Sequence, residues 1–195
     1  MSTASPEPVV FATAVEATRK AFGKRFTPEL KAELKALGMD FESIQAAYAL
    51  DTWLEAARVM SRAFFPDLPE AERHRQLGRD FMKGYVQTAI GFATLATAKL
   101  IGVKRTLLRM GRNFRTAANY IEAEALDIGP KEVHLRATVG SEFLPRVRPG
   151  ANDVIVHYRH GVLEETLALL GVAGTVDVLE VAADRPGGLF RITWS

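Results

Sequence analysis

The chain has no cysteine. That excludes disulfides, thiolate zinc sites, iron–sulfur clusters and cysteine nucleophiles. It also has little excess of either charge: 25 Lys and Arg stand against 23 Asp and Glu, a formal +2, too mild a balance to indicate nucleic acid. A long hydrophobic run is missing as well. The most apolar stretch, Tyr85 to Ile101, is interrupted by Gln87, three threonines and Lys99. A spanning helix needs about 20 apolar residues, so this stretch reads as a buried helix with no membrane span. Residues Met1 to Pro8 carry no basic stretch, and Val9–Val10–Phe11 is too short for the apolar core of a signal peptide. Without an export signal and without cysteine, the expected setting is cytoplasmic. There is no GxGxxG, no Walker loop, no HExxH and no serine in GxSxG.

The 195 residues, 48% hydrophobic and 25% charged, have the balance of a globular chain and the length of one domain, 1–195. The first part, 9–115, reads helical. Phe11, Val15, Thr18 and Phe22 follow a helical period. Thr27–Pro28 is an N-cap with proline at the first helical position, Leu30, Leu34 and Leu37 share a face, and Gly38 ends that helix. A further helical turn is expected near Ser43 to Ala49. Thr52 and Glu55 have the spacing of a capping box ahead of Trp53, Ala57, Met60 and Phe64, with Pro66 at the end. Pro69 opens a polar helix, and Phe81 to Ile101 reads as one long apolar helix. Gly84 and Gly91, seven apart on it, indicate close packing or a groove kept open for a ligand.

The second part, 116–195, changes to a period of two. Asn119 to Leu126 alternates, Gly129–Pro130 is a turn, and Val133, Leu135, Ala137 and Val139 alternate with His134, Arg136 and Thr138. That is a hairpin with one solvated face. Val154, Val156 and Tyr158 suggest a third strand, Gly161 to Leu170 a helix, and Val176 to Val181 and Leu189 to Trp194 two further strands. On the final strand Phe190, Ile192 and Trp194 share a face and are expected to be buried. Helices followed by hairpins give an α+β fold, an N-terminal helical layer packed on a mostly antiparallel sheet with one crossing helix.

Charge is concentrated in one place. From Phe81 to Ile121 there are seven basic residues and no acid. On a continuous helix, at about 100° per residue, Lys104, Arg105, Arg109, Arg112 and Arg115 fall within an arc of about 140°, with Leu107, Met110 and Phe114 opposite. Arginine suits carboxylate and phosphate because its planar fork meets two oxygens at once. Arg105, Arg109, Arg112 and Arg115, with Tyr85 and Asn119, are therefore the candidate residues for a ligand or partner. A solvated helix face offset by Glu122, Glu124 and Asp127 is the alternative. The histidines make no site: His157 and His160 would point to opposite faces of a strand, and His74 and His134 are isolated. No metal or cofactor is called for.

Three stretches, "LGRDFMKGYVQTAIG" (77–91), "GVKRTLLRMGRNFRTAANYIEAEALDIGP" (102–130) and "LFRITW" (189–194), resemble the large myxobacterial paralogous family of uncharacterised proteins of about this length. "LKALGMD" and "FFPDLPEAE" in the helical arm extend the likeness over nearly the whole chain. The resemblance implies no activity and transfers no catalytic residue. The segment "VIVHYRHGVLEETLALLGVAG" (154–174) resembles more distantly the haem–nitric oxide binding domains and the vinyl-reductase-like small-molecule binders. That resemblance implies a helical layer, an antiparallel sheet and a crossing helix. The haem versions use a Tyr-x-Ser-x-Arg set and a proximal histidine. Tyr158, His160 and Val162 stand at the first set here, and no histidine lies between His74 and His134, so the resemblance implies the scaffold without haem.

The expected function is a non-enzymatic sensory or regulatory module that binds a small molecule or a protein partner. The alternatives are an adaptor acting through protein contacts alone, a homodimer among them, and an enzyme on a small anionic substrate.

Overall fold

The computed structural model describes residues 6–195; the first five residues of the segment Met1 to Pro8, expected to carry no export signal, lie outside them. The elements run β1 Val9–Phe11, α1 Ala12–Phe22, α2 Pro28–Ala36, β2 Ala47–Ala49, α3 Leu50–Phe64, α4 Glu70–Tyr85, α5 Ala89–Ile101, α6 Val103–Leu108, α7 Met110–Phe114, β3 Ile121–Gly129, β4 Glu132–Val139, α8 Ala151–Leu169, β5 Gly174–Val181 and β6 Gly187–Trp194. The fold is α+β, with the helical region packed against a C-terminal antiparallel sheet of order β3-β4-β6-β5. The change of period near Asn119 marks the start of that sheet.

Several elements follow directly from local chemistry. Thr27 caps α2 by accepting from Leu30 N at 3.2 Å, Pro28 occupies its first position, and Gly38 turns the chain at φ +93°. Val133, Leu135, Ala137 and Val139 of β4 are fully buried, as their alternation predicts, and pair on one side with β3 and on the other with β6. The buried residues of helices and sheet form one cluster, from Val10 through Phe81 and Leu135 to Ile192.

Other expectations are corrected. Residues 43–49 contain no helix; the chain bends and then forms β2, which pairs antiparallel with β1 and buries Tyr48. The Tyr48 hydroxyl accepts from Gln45 N at 2.8 Å and pins the bend. Thr52 is no cap, because α3 begins two residues earlier at Leu50, and Glu55 instead accepts from Arg58 at 2.7 Å. The long apolar helix is two helices. Thr88 ends the turn after α4 and caps α5, accepting from Gly91 N at 3.0 Å. Gly84 and Gly91 therefore share no face: a side chain at Gly84 would strike α1 at Ala17 and Ala21, and one at Gly91 would strike the Tyr85 carbonyl.

The expected third strand at 154–158 is the first half of α8. This helix lies between α4 and the sheet, and it buries Val154, Ile155, Val156, Arg159, Val162 and Leu163. A helix covered on more than one side loses its 3.6-residue signature, and a short apolar stretch of it is indistinguishable from a strand. His157 and His160 are consequently one turn apart on a helix, with His160 Nε2 2.8 Å from the Val176 carbonyl. Trp194 is half-buried only, at the end of β6, whereas Phe190 and Ile192 are fully buried.

Where α4 crosses α8 the backbones meet. A side chain at Gly78 would fall on the Tyr158 carbonyl, and one at Gly161 on the Arg75 carbonyl. Glu164 of α8 accepts from Arg75 Nε at 2.8 Å and from Arg79 Nε at 2.9 Å, with a further bond from Arg75 Nη2. Burial alone would raise the Glu164 pKa, but the bonds from Arg75 and Arg79 outweigh it and hold the carboxyl below its ordinary value.

Candidate functional site: an apolar cavity under α5

The crossing of α4 and α8 leaves a space between these helices, α1, α3 and the segment from α5 to β3. It is a cavity of about 120 Å³. Trp53, Phe81, Leu95, Met110, Phe114 and Val162 are among its walls. Empty apolar cavities of roughly 150 Å³ stay dry and take up benzene, so this one suits a small apolar molecule.

Helix α5 is the roof. It turns Gly91, Thr94, Leu95 and Ala98 toward the cavity. Of its 13 residues only Gly91 and Ala98 are buried, although the helix is among the most apolar segments of the chain. Phe92 is 70% exposed and Leu100 87%. Gly102, at φ +82°, separates α5 from α6 and lets the chain turn between them.

Most polar groups in the wall are satisfied within the protein. Thr106 Oγ1 donates to the Gly102 and Ala98 carbonyls at 2.9 and 3.2 Å, and Thr166 Oγ1 to the Val162 carbonyl at 2.7 Å. Tyr85 lies 3.1 Å from Thr116 Oγ1, which itself donates to the Asn113 carbonyl at 2.7 Å; the tyrosine hydroxyl is therefore the donor between them. Two polar groups stand apart. The hydroxyl of Tyr158 and Nη2 of Arg159 are buried without a partner among the described residues. Tyr120 lies beside both. Burial raises the phenol pKa of Tyr120, opposed by Arg159, and that of Tyr158 well above its usual value.

The residues singled out from sequence are divided by the structure. Tyr85 lines the cavity. The row from Lys104 to Arg115 is broken at Arg109, between α6 and α7, so its members do not share one helical arc. Leu107, Met110 and Phe114 face inward as expected. Arg105, Arg109, Arg112 and Arg115 are exposed, and no ion pair to any of them occurs among the described residues. Lys104, by contrast, pairs with Asp127 at 2.7 Å. Asn119 splices the N-terminus to the sheet: its Oδ1 accepts from Val9 N at 2.8 Å and its Nδ2 donates to the Glu7 carbonyl at 2.9 Å. Sequence reasoning missed Tyr158 and Arg159 as a pair, because reading 154–158 as a strand assigned them to opposite faces. The signal was present in the single arginine of an apolar segment, "VIVHYRHGV".

A family described as "Protein of unknown function (DUF2378)" matches residues 9–195. The chain belongs to the DUF2378 family. No curated protein matches it. Its fold is similar to that of the H-NOX domains. An oxygen-binding H-NOX domain related to soluble guanylate cyclases, solved as the oxygen complex, aligns over 94% of this chain and 92% of its own with 14% identity and a TM-score of 0.63. An Fe(II) unliganded H-NOX protein from K. algicida aligns over 95% and 96% with 12% identity and a TM-score of 0.64. A structure described as showing the mechanism of H-NOX activation aligns over 94% of both chains with 14% identity and a TM-score of 0.65. At these identities the likeness is one of fold.

The haem of that fold does not fit the residues present. No histidine or cysteine lines the cavity of this DUF2378 chain. The phenols of Tyr120 and Tyr158 resist forming the phenolate that would bind iron, because burial disfavours the charged form. A tetrapyrrole also needs several times the space that a benzene-sized cavity provides. Among the described residues no group of three His, Cys, Asp or Glu side chains is placed to hold a metal ion. No helix among the described residues is long and apolar enough to cross a membrane.

Proposed function

We propose that this DUF2378 chain is a non-enzymatic sensory or regulatory module that holds a small apolar molecule in the cavity under α5. The observation that carries the reading is the roof: an apolar helix that touches the cavity through Gly91, Thr94, Leu95 and Ala98 while most of its own surface stays exposed. Such a helix gains buried area when the space beneath it is filled, so occupancy is coupled to how firmly α5 is held. The H-NOX fold supports a sensor, since one of its members is described as oxygen-binding and another through its activation.

The arginines of α6 and α7 supply the output. Arg105, Arg109, Arg112 and Arg115 flank the exposed residues of α5 in sequence and suit an acidic protein partner, whose binding would weaken as salt rises. A cytoplasmic setting agrees with the absence of cysteine. The exposed Phe92 and Leu100 also favour a second reading, an adaptor or homodimer held by protein contacts alone. The likeness to the myxobacterial paralogous family and to vinyl-reductase-like binders rests on the sequence resemblance alone.

Hydrogen exchange on the full chain tests the sensor reading. Toluene is expected to slow exchange of the α5 amides and leave the β4 and β6 amides unchanged. Exchange of α5 that is indifferent to toluene, with α5 protected only as protein concentration rises, would replace the sensor by the adaptor. Charge reversal at Arg105, Arg109 and Arg112 is expected to abolish retention of an acidic partner without lowering the melting temperature.

A further inference from the structure

The cavity is mostly apolar, yet one of the buried polar groups in its wall is a guanidinium. Arg159 is only 4% exposed. Its Nη1 donates to the Ala137 carbonyl of β4 at 2.7 Å, which fixes the head against the sheet. Its Nη2 has no partner, and no carboxylate forms an ion pair with Arg159 among the described residues. Ion pairs occur elsewhere among the described residues, including those of Arg75 and Arg79 with Glu164 at the α4–α8 crossing, so acids are available to this fold; none is placed here.

A buried guanidinium without an anion is costly, and an unmade hydrogen bond adds to the cost. Burial lowers the Arg159 pKa, and the neighbouring Tyr120 phenol opposes that effect. Tyr120 is itself uncharged at neutral pH, its pKa being raised, so it does not supply the missing charge. One residue before Arg159, Tyr158 lines the same cavity. Its ring is wedged against Trp53 and Phe81, with centroids at 6.2 and 5.5 Å, and its hydroxyl is unpartnered. Two donors, one cationic and one neutral, are thus held ready by packing; the uncharged Tyr120 phenol stands beside Arg159, and no anion does.

We infer that Arg159 and Tyr158 form the head-group site for an apolar monocarboxylic acid, whose body occupies the cavity between α5 and α8. The inference rests on the sensor reading for the cavity and specifies its ligand class. A carboxylate brings one negative charge, which matches one guanidinium, and two oxygens, which match the two free donors. The remaining walls are mostly apolar. A cavity of about 120 Å³ suits a body of roughly six carbons, close to the benzene that a slightly larger apolar cavity accepts. A phosphate monoester would bring a second charge with nothing to meet it. A neutral hydrocarbon would fill the space and leave Arg159 as it is.

Calorimetric titration of the full chain with two matched pairs decides the matter: benzoate against benzyl alcohol, and hexanoate against hexanol, with formate as an anion lacking a body. At least one acid is expected to bind with a Kd of about 1 mM or tighter. It should bind roughly tenfold to a hundredfold more tightly than its alcohol, the factor expected of hydrogen bonds to a charged group. Formate at the same concentration is expected to give no heat. Arg159→Met should bring acid and alcohol to equal affinity, and Tyr158→Phe should weaken the acid alone. If Arg159→Met does not fold, the acid-to-alcohol ratio in the unaltered protein still decides. Alcohols that bind as well as their acids would overturn the head-group site and leave the apolar cavity standing as a binding site. Formate that binds as well as benzoate and hexanoate would reduce the site to one for a simple anion and overturn the inference. Absence of binding by acids and alcohols alike would remove both the inference and the sensor reading.

Discussion

Helices α4 and α5 are consecutive in the chain and opposite in how they are held. Helix α4, EAERHRQLGRDFMKGY, is rich in charge, yet it is clamped between α1 and α8. Helix α5, AIGFATLATAKLI, carries one charge and lies mostly in solvent. Apolar composition therefore does not decide which helix is buried here. Glycine and ion pairing do. Gly78 and Gly84 bring the α4 backbone against two neighbours, and Arg75 and Arg79 find Glu164 across the crossing. Helix α5 has Gly91 alone, which packs on the turn before it. The contrast separates a part of the molecule built to stay from a part free to respond.

The largest effect is expected where the clamp is tightest. Alanine in place of glycine in an exposed helix stabilises by about 1 kcal/mol. At Gly161 the sign should reverse, because the new methyl would meet the Arg75 carbonyl and the Arg79 amide, both backbone groups that cannot step aside. Gly161→Ala is expected to lose about 3 kcal/mol or more, the upper range for overpacking, measured by urea denaturation. A loss under 1 kcal/mol would mean that α4 and α8 separate easily and that the contrast with α5 is false.

A second effect reads the same clamp through pH. His74 is buried in α4 with neither ring nitrogen hydrogen-bonded. Burial lowers its pKa, partly opposed by Glu70 and reinforced by Arg58 and His157. His160 is lowered as well, first by burial and then by Arg75. A base whose folded pKa is depressed leaves the folded state with fewer protons than the unfolded one across the interval between the two pKa values. Stability is then complete above about pH 6.5, the unfolded value, and declines as pH falls below it. Glu164, also depressed, adds its own loss below about pH 4.5, its ordinary value. The melting temperature is expected to fall by several degrees between pH 7.5 and 5.5, and His74→Leu should flatten part of that slope. A melting temperature that rises with acid would refute the burial of these imidazoles in neutral form.

How far these features can be read from the sequence depends on the kind of signal. The hairpin β3–β4 is legible because one face is solvated, so Glu122 and Glu124 alternate with half-buried Ile121, Ala123 and Ala125. The start of α2 is legible because Thr27 and Pro28 act on their own backbone. Helix α8 is not, since it is covered on more than one side and its apolar residues follow no single period. The break between α4 and α5 is hidden for a related reason: Thr88 caps a helix inside a stretch that is apolar on both sides of it. Of the site, the arginine row could be seen in the sequence, where Gly111 and Asn113 are residues that could break the helix near its end; the break falls slightly earlier, at Arg109. The cavity depends on distant elements, α1, α3, α5 and α8, and only their packing creates it.

Within the basic segment, and among the described residues, Lys104 is paired while Arg105, Arg109, Arg112 and Arg115 are not. Lys104 meets Asp127 of β3 at 2.7 Å, with both side chains substantially exposed. Lys104→Glu is expected to cost up to about 1 kcal/mol, the usual ceiling for an exposed pair, and to shrink in high salt. Arg109→Glu should cost less, or slightly stabilise by relieving repulsion among the arginines. Thermal melts at low and high salt check both. Equal salt-sensitive losses at the two positions would show that Arg109 also has an acid partner, and the distinction between structural and free cations on this face would disappear.

The smallest effect is expected on α5 itself. Phe92 is 70% exposed, so its ring has little buried area to lose, and exposed substitutions usually fall within about 0.5 kcal/mol. Phe92→Ser should therefore leave urea denaturation unchanged while lowering any tendency of the protein to associate, because an exposed aromatic on an apolar helix attracts other apolar surfaces. Leu95 is the sharper control. It sits on the same helix but faces the cavity, so Leu95→Ser puts a hydroxyl against an apolar space and should weaken toluene binding more than it lowers stability. If Phe92→Ser proves as destabilising as Leu95→Ser, the outer face of α5 is covered in solution. The helix would then belong to an interface rather than a roof, and the difference between α4 and α5 would lie in what covers each.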